Sequence, residues 1–195
     1  PLISQVGEWL QHLDLGSKAK QNYEEQTDLL SGMMNGTKIT DLLLYLLLFA
    51  ALPAIGEELL FRGVLLRFAY FTSRNMHLAI FIVAAIFGMA HGNVYNFIPI
   101  MLAGVLLGYI YYFSGSIWLS ILAHFTNNAI MVFAVYLGNI NLISEEASKA
   151  DSFPWYIILV SAVLFVLIFY WLRKKATPLP PDWTNDFKGE VQTID

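Results

Sequence analysis

The sequence predicts an all-α, polytopic membrane protein with about five hydrophobic segments, forming the C-terminal part of a larger helical bundle. Three observations predict this. Of 195 residues, 57% are hydrophobic and only 13% are charged, against about 25% charged in soluble domains. The mean hydropathy is +0.57. The apolar residues gather in long runs separated by short stretches rich in Gly, Asn, Ser and Pro. Cysteine is absent, which excludes disulfides, thiolate metal sites and a cysteine nucleophile. The net charge of −4 argues against a nucleic-acid partner. The chain opens on Pro1 and polar sequence, without a signal-peptide pattern, so earlier membrane helices are expected to precede it.

Residues 1–40 read as a polar extramembrane segment. Val6, Trp9, Leu10 and Leu13 recur at helical spacing and predict a short amphipathic helix that caps the bundle. Met33, Asn35, Gly36 and Thr37 predict a loop, with Thr40 or Asp41 as the next N-cap. Residues 41–172 read as the membrane-embedded core. Its first apolar segment, 41–71, exceeds the roughly 20 residues a span needs, so it tilts, kinks or protrudes. Pro53 predicts a kink, because it removes a backbone bond and crowds the preceding turn. The second segment, 77–91, is short for a span and ends where Gly92, Asn93 and Asn96 break the helix. The third, 97–113, carries Gly104-x-x-x-Gly108, a spacing that permits close helix approach. Ser114-Gly115-Ser116 makes a tight turn into the fourth, 117–137. A polar loop with Glu145, Glu146 and Asp151 leads to the fifth, 154–172, which holds no charge. Arg173-Lys174-Lys175 then places that end, and the Arg67–Arg74 end, in the cytoplasm. Residues 173–195 read as this basic stop and a flexible cytoplasmic tail with Pro178, Pro180 and Pro181.

Polar residues interrupt these apolar runs at a few places. Glu57, Glu58 and Arg62 lie inside the first segment. A charge near the bilayer centre costs roughly 2.5–3.5 kcal/mol, so such residues mark function unless they only join helices. Glu58 and Arg62 are four apart and share a helix face, which predicts an ion-pair brace. Glu57 points about a quarter-turn away and is left as the working carboxylate. His124 and Asn128 are four apart in the fourth segment, as are Phe87 and His91 in the second. A lone membrane histidine or asparagine is most often a bond between helices. Together these groups supply a carboxylate base, two imidazoles and an amide, which fits a hydrolytic site. Glu57 accepts a proton from water. His91 shares that water or protonates the leaving amine. His124 and Asn128 donate to the developing oxyanion. No cofactor is required by this scheme. In the alternative, Glu57, His91 and His124 hold a zinc ion that activates the water, although no His-Glu-x-x-His signature supports it. Ser120 lies four before His124, but no serine stands in a nucleophile context. His91 ends its segment toward the outer side and His124 lies nearer the inner side. They meet only if the helices tilt or the second segment ends inside the membrane.

Glu57-Glu58-x-x-x-Arg62 resembles the first motif of the CPBP intramembrane proteases. That family includes the type II CAAX prenyl endopeptidases and bacterial relatives linked to bacteriocin self-immunity. Phe87-x-x-x-His91 resembles its second motif and His124-x-x-x-Asn128 its third. Gly115-Ser116-Ile117-Trp118, which leads into the last motif helix, also agrees. The resemblance implies a helical membrane fold with a cavity lined by the motifs, and peptide-bond hydrolysis in or beside the membrane. It implies Glu57 and His91 as the water-activating pair, with His124 and Asn128 as oxyanion stabilisers. It implies a peptide or protein substrate, lipidated in the CAAX branch, and a lipid bilayer around the protein. The family is described both as metallo- and as glutamic-type, which leaves the zinc alternative open. Two other classes stay open as well: a catalytically silent scaffold or immunity protein of the same fold, and a proton-relay transporter. Against the transporter, the sequence shows no repeated half with matching broken helices.

Overall fold

The computed structural model describes residues 2–144 and, beyond them, single positions between Leu159 and Trp183. Among the described residues all regular structure is helical. Two extramembrane helices, α1 (Leu2–Gln11) and α2 (Ser17–Met33), precede four core helices. These are α3 (Ile39–Ser73), α4 (Met76–Ala90), α5 (Val94–Ser114) and α6 (Ile117–Asn139). α3, α5 and α6 are long and apolar enough to cross a membrane. α4 has 15 residues, about 22 Å of helix against a hydrocarbon core of about 30 Å. The expected acidic loop and fifth segment, 154–172, lie outside the described residues, except for single helical positions such as Leu159 and Phe169. Five segments are therefore expected and three spans are described.

α3 is one helix of 35 residues, about 52 Å long at 1.5 Å per residue, so it outreaches the bilayer as its length predicted. It starts two residues before the expected boundary. The N-cap is Lys38 rather than Thr40 or Asp41, because Asp41 caps from the third position: its Oδ2 accepts from the Lys38 N–H at 3.0 Å. Two stretches of α3 are wound wider than an α-helix. Across Leu46–Ala51 the Leu52 N–H reaches Leu47 O, and across Leu59–Leu65 the Leu66 N–H reaches Phe61 O. These are i→i+5 π turns. Pro53 stands two residues past the end of the first. The wider turn gives its ring room beside the carbonyl four residues earlier, and the helix runs on without a break. Buried positions in α3 then recur at every fourth residue: Ala50, Ala54, Glu58, Arg62 and Leu66.

α4 packs tightly along α5, and glycine permits it. A Cβ on Gly104 would sit 3.2 Å from Ala84 Cα, and one on Gly108 2.9 Å from an Ile80 side-chain carbon. The Gly104-x-x-x-Gly108 spacing therefore does bring two backbones together. Gly88 completes the seam from the other helix, where a Cβ would lie 2.8 Å from the Phe97 carbonyl oxygen. Backbone cannot rotate aside as a side chain can. Gly88→Ala is expected to destabilise the protein by about 1–3 kcal/mol through overpacking, read as a lowered thermal midpoint in detergent. The apolar core formed here joins Phe61 and Leu66 of α3 to Ile80, Val83 and Phe87 of α4 and Tyr111 of α5.

The connections are short. Asn75 caps α4 by accepting from Leu78 N at 3.1 Å. Asn93 caps α5 by accepting from Tyr95 N and Asn96 N, so α5 starts earlier than expected and Asn96 lies inside it rather than breaking it. Gly115, at φ 64°, takes the left-handed conformation that ends α5.

The amphipathic helix read from Val6, Trp9 and Leu10 is α1, which packs on α5; Leu13 lies just beyond its end. α2 was not expected. It buries no side chain completely and meets the core through Tyr23, edge-on to Tyr95 at 5.7 Å, and through Gln26. Beyond the basic stop, Leu179 and Trp183 of the expected flexible tail are described, and both touch the core. Leu179 N donates to Tyr112 O at 3.4 Å, and the Trp183 ring packs on Tyr70 and Tyr111 beneath the Arg67 guanidinium.

Candidate active site

Glu58 is the centre of a buried polar knot. It sits in α3 with no exposed surface. Its Oε1 accepts from Arg62 Nη1 at 2.7 Å and from His124 Nδ1 at 3.0 Å. Its Oε2 accepts from the Ser120 hydroxyl. Arg62, itself buried, turns Nη2 to the Gly104 carbonyl oxygen at 2.8 Å and lies 5.2 Å from the Phe87 ring centre. Burying an ion pair costs several kcal/mol per ion unless the remaining donors and acceptors are met. Here they are met from α5 and α6 as well as from α3. The knot therefore ties three helices together at mid-length. The brace read from the spacing of Glu58 and Arg62 is present, with a wider set of partners.

Two of those partners escaped the sequence reading. Ser120 stood out only as a neighbour of His124. Gly104 stood out only as a packing residue. The available signal was that Ser120 and His124 are four apart and so face Glu58 together. No sequence pattern identifies a helix carbonyl as an acceptor.

Glu57 is different in every respect. Its side chain is about a third exposed. Its Oε2 is buried yet has no hydrogen-bond partner among the described residues. That oxygen faces His124 Nε2 at 3.8 Å. So His124 lies between the two carboxylates, bonded to Glu58 and set back from Glu57. The 3.8 Å gap is too long for a direct hydrogen bond.

The bonds fix both imidazoles. A carboxylate oxygen only accepts, so His124 carries a proton on Nδ1 and presents Nε2 toward Glu57. His91 lies just beyond α4 and is exposed. Its Nδ1 is 2.8 Å from Phe87 O, so Nδ1 is the donor and Nε2 faces outward as the acceptor in the neutral ring. The Phe87 ring is buried between the two, 4.9 Å from the His91 ring centre and 5.9 Å from that of His124. α4 is short enough to end at the level of the site, which disposes of the difference in depth between the two histidines. Asn128 follows His124 by one turn of α6 and is half-buried. Its Oδ1 accepts from Asn127 Nδ2 at 3.4 Å, which leaves its NH₂ end for another acceptor.

The structure thus gathers Glu57, Glu58, Arg62 and His124, brings His91 to the same phenyl ring, and sets Asn128 on the His124 helix. Among the described residues no three His, Cys, Asp or Glu side chains converge as a metal-binding group.

Between α3 and α6 lies an open apolar groove of about 310 Å³, lined by Ala51, Ile55, Trp118, Ile121, Leu122 and Phe125. Ile55 lies two residues from Glu57, and Leu122 and Phe125 lie within two residues of His124.

No curated protein and no solved structure matches the chain. Residues 39–130 match the family model described as type II CAAX prenyl endopeptidase Rce1-like. The matched stretch runs from the first residue of α3 through Asn128, and so holds every site residue described above. With three helices fit to span a membrane and this match, the chain is an integral membrane protein whose segment 39–130 is similar to the Rce1-like type II CAAX prenyl endopeptidases.

Proposed function

We propose that this chain is an intramembrane endopeptidase that hydrolyses a peptide bond with water activated by Glu57. The observation that carries the reading is the contrast between adjacent carboxylates. Glu58 is saturated by three side-chain donors, whereas Glu57 Oε2 has none among the described residues. A carboxylate oxygen kept off all protein donors, yet half-sheltered beside an imidazole, is placed to accept a proton from water.

In this scheme Glu57 takes a proton from water as the oxygen attacks the scissile carbonyl. Asn128 donates its NH₂ to the oxyanion. His124 donates from Nε2 only as the imidazolium, because the Nδ1 proton is committed to Glu58. His91, held through Nδ1, offers Nε2 to the water or, once protonated, to the leaving amine. The apolar cleft between α3 and α6 offers no charged group. It suits an aliphatic or lipidated part of a membrane-bound substrate rather than a polar peptide.

Cleavage of a fluorogenic peptide library, with prenylated and plain members, tests the reading on the protein in detergent or liposomes. Hydrolysis is expected to survive a strong chelator. Loss on chelation with recovery on zinc addition would instead put a metal at the site and overturn the scheme. No cleavage at all, with the protein folded and both substrate types present, would favour the silent scaffold.

A further inference from the structure

The turn that carries His91 is held from outside the core. α4 ends at Ala90, and the chain must reverse within His91-Gly92-Asn93 to begin α5. Gly92 adopts a left-handed φ of 67°. Asn93 then fastens the turn. It is 5% exposed, and its two amide ends are used in opposite directions. Oδ1 accepts from Tyr95 N and Asn96 N at the start of α5. Nδ2 donates to Gln26 Oε1 of α2 at 2.9 Å. Two further contacts hold α2 and its linker in the same place. Tyr23 lies edge-on to Tyr95, and the Tyr95 hydroxyl donates to Leu13 O at 3.2 Å.

This gives α2 an assignment that its composition does not explain. α2 buries no residue, so its apolar contribution to the fold is small. Its Gln26 side chain bonds a buried amide two residues from His91. A buried donor that loses its acceptor will move to find another. Here the move would release the turn and, with it, the His91 Nδ1 bond to Phe87 O.

We propose that α2 positions His91, with Gln26 and Asn93 as the positioning residues. The extramembrane helix sets the orientation of a side chain that works at the membrane site. The consequence for catalysis rests on the role given to His91 above; the consequence for its orientation does not.

The test uses the whole chain in detergent, with wild type, Gln26→Leu and Gln26→Glu. Gln26 is exposed, so the variants are expected to keep the wild-type circular dichroism and thermal midpoint. The probe is diethyl pyrocarbonate, with carbethoxylation read at each histidine by mass spectrometry. In Gln26→Leu, His91 is expected to react about threefold faster or more as its turn opens. His77, at the far end of α4, serves as the internal reference and is expected to keep its rate. Gln26→Glu retains an acceptor for Asn93 and is expected to restore the wild-type rate at His91. With a cleavable peptide, kcat in Gln26→Leu is expected to fall about tenfold with KM unchanged, since the group is misplaced rather than lost. Equal His91 rates in wild type and Gln26→Leu would overturn the proposal, as would a Gln26→Glu variant that behaves like Gln26→Leu. A His91 rate that responds in a protein that cleaves nothing supports the positioning and counts against the endopeptidase alone.

Discussion

Glu57→Gln is expected to lose peptide hydrolysis by about 10²–10⁴-fold, the usual scale of a general base, while the protein folds and melts as wild type. Both halves of this expectation come from the same geometry. Among the described residues Glu57 Oε2 accepts no hydrogen bond, and its approach to His124 at 3.8 Å is too long to be one. An amide of equal size is therefore expected to leave the fold alone. The amide cannot accept a proton at working pH, so chemistry stops. The measurement is turnover of a cleavable membrane peptide by purified variant and wild type, with thermal unfolding on the same samples. Persistent cleavage by Glu57→Gln would move the general base elsewhere. Loss of folding would show that Glu57 belongs to the structural knot.

Arg62→Leu is expected to act the opposite way. It strands Glu58, which has no exposed surface, and it removes the donor to the Gly104 carbonyl. Breaking a buried pair by deleting one partner costs about 3–5 kcal/mol, a large share of a total stability of about 5–15 kcal/mol. The yield of folded protein and its thermal midpoint are both expected to drop well below wild type. Wild-type yield and midpoint in this variant would refute the brace.

Of the two neighbouring carboxylates one is tied to Arg62 and the other is not, and that difference was legible before any coordinates. Four-residue spacing paired Glu58 with Arg62 and set Glu57 aside, because that inference needs only helix geometry. The close α4–α5 seam was legible for the same reason, since small residues four apart lie on one face. What escaped depends on how helices cross. The Ser120 bond to Glu58 and the Gly104 carbonyl under Arg62 join residues far apart in sequence, and no local period reports them. α2 escaped because an amphipathic stripe is the main helix signal, and a helix that buries no side chain has no stripe to read. The π turns escaped because a wider turn is a choice of backbone hydrogen-bond partner, invisible in side-chain type.

Those wider turns set the meaning of the residue numbers in α3. A stripe at every fourth position winds about 40° per step around an ordinary helix of 3.6 residues per turn. From Ala50 to Leu66 it would wind about 160° and pass to the far side. It stays buried throughout, because the stretches of longer turn slow the winding. α3 behaves as a screw whose pitch was cut to match its row of teeth. The phase of the backbone, as much as the identity of the side chains, bears on which of two identical carboxylates is locked and which keeps an oxygen without a hydrogen bond.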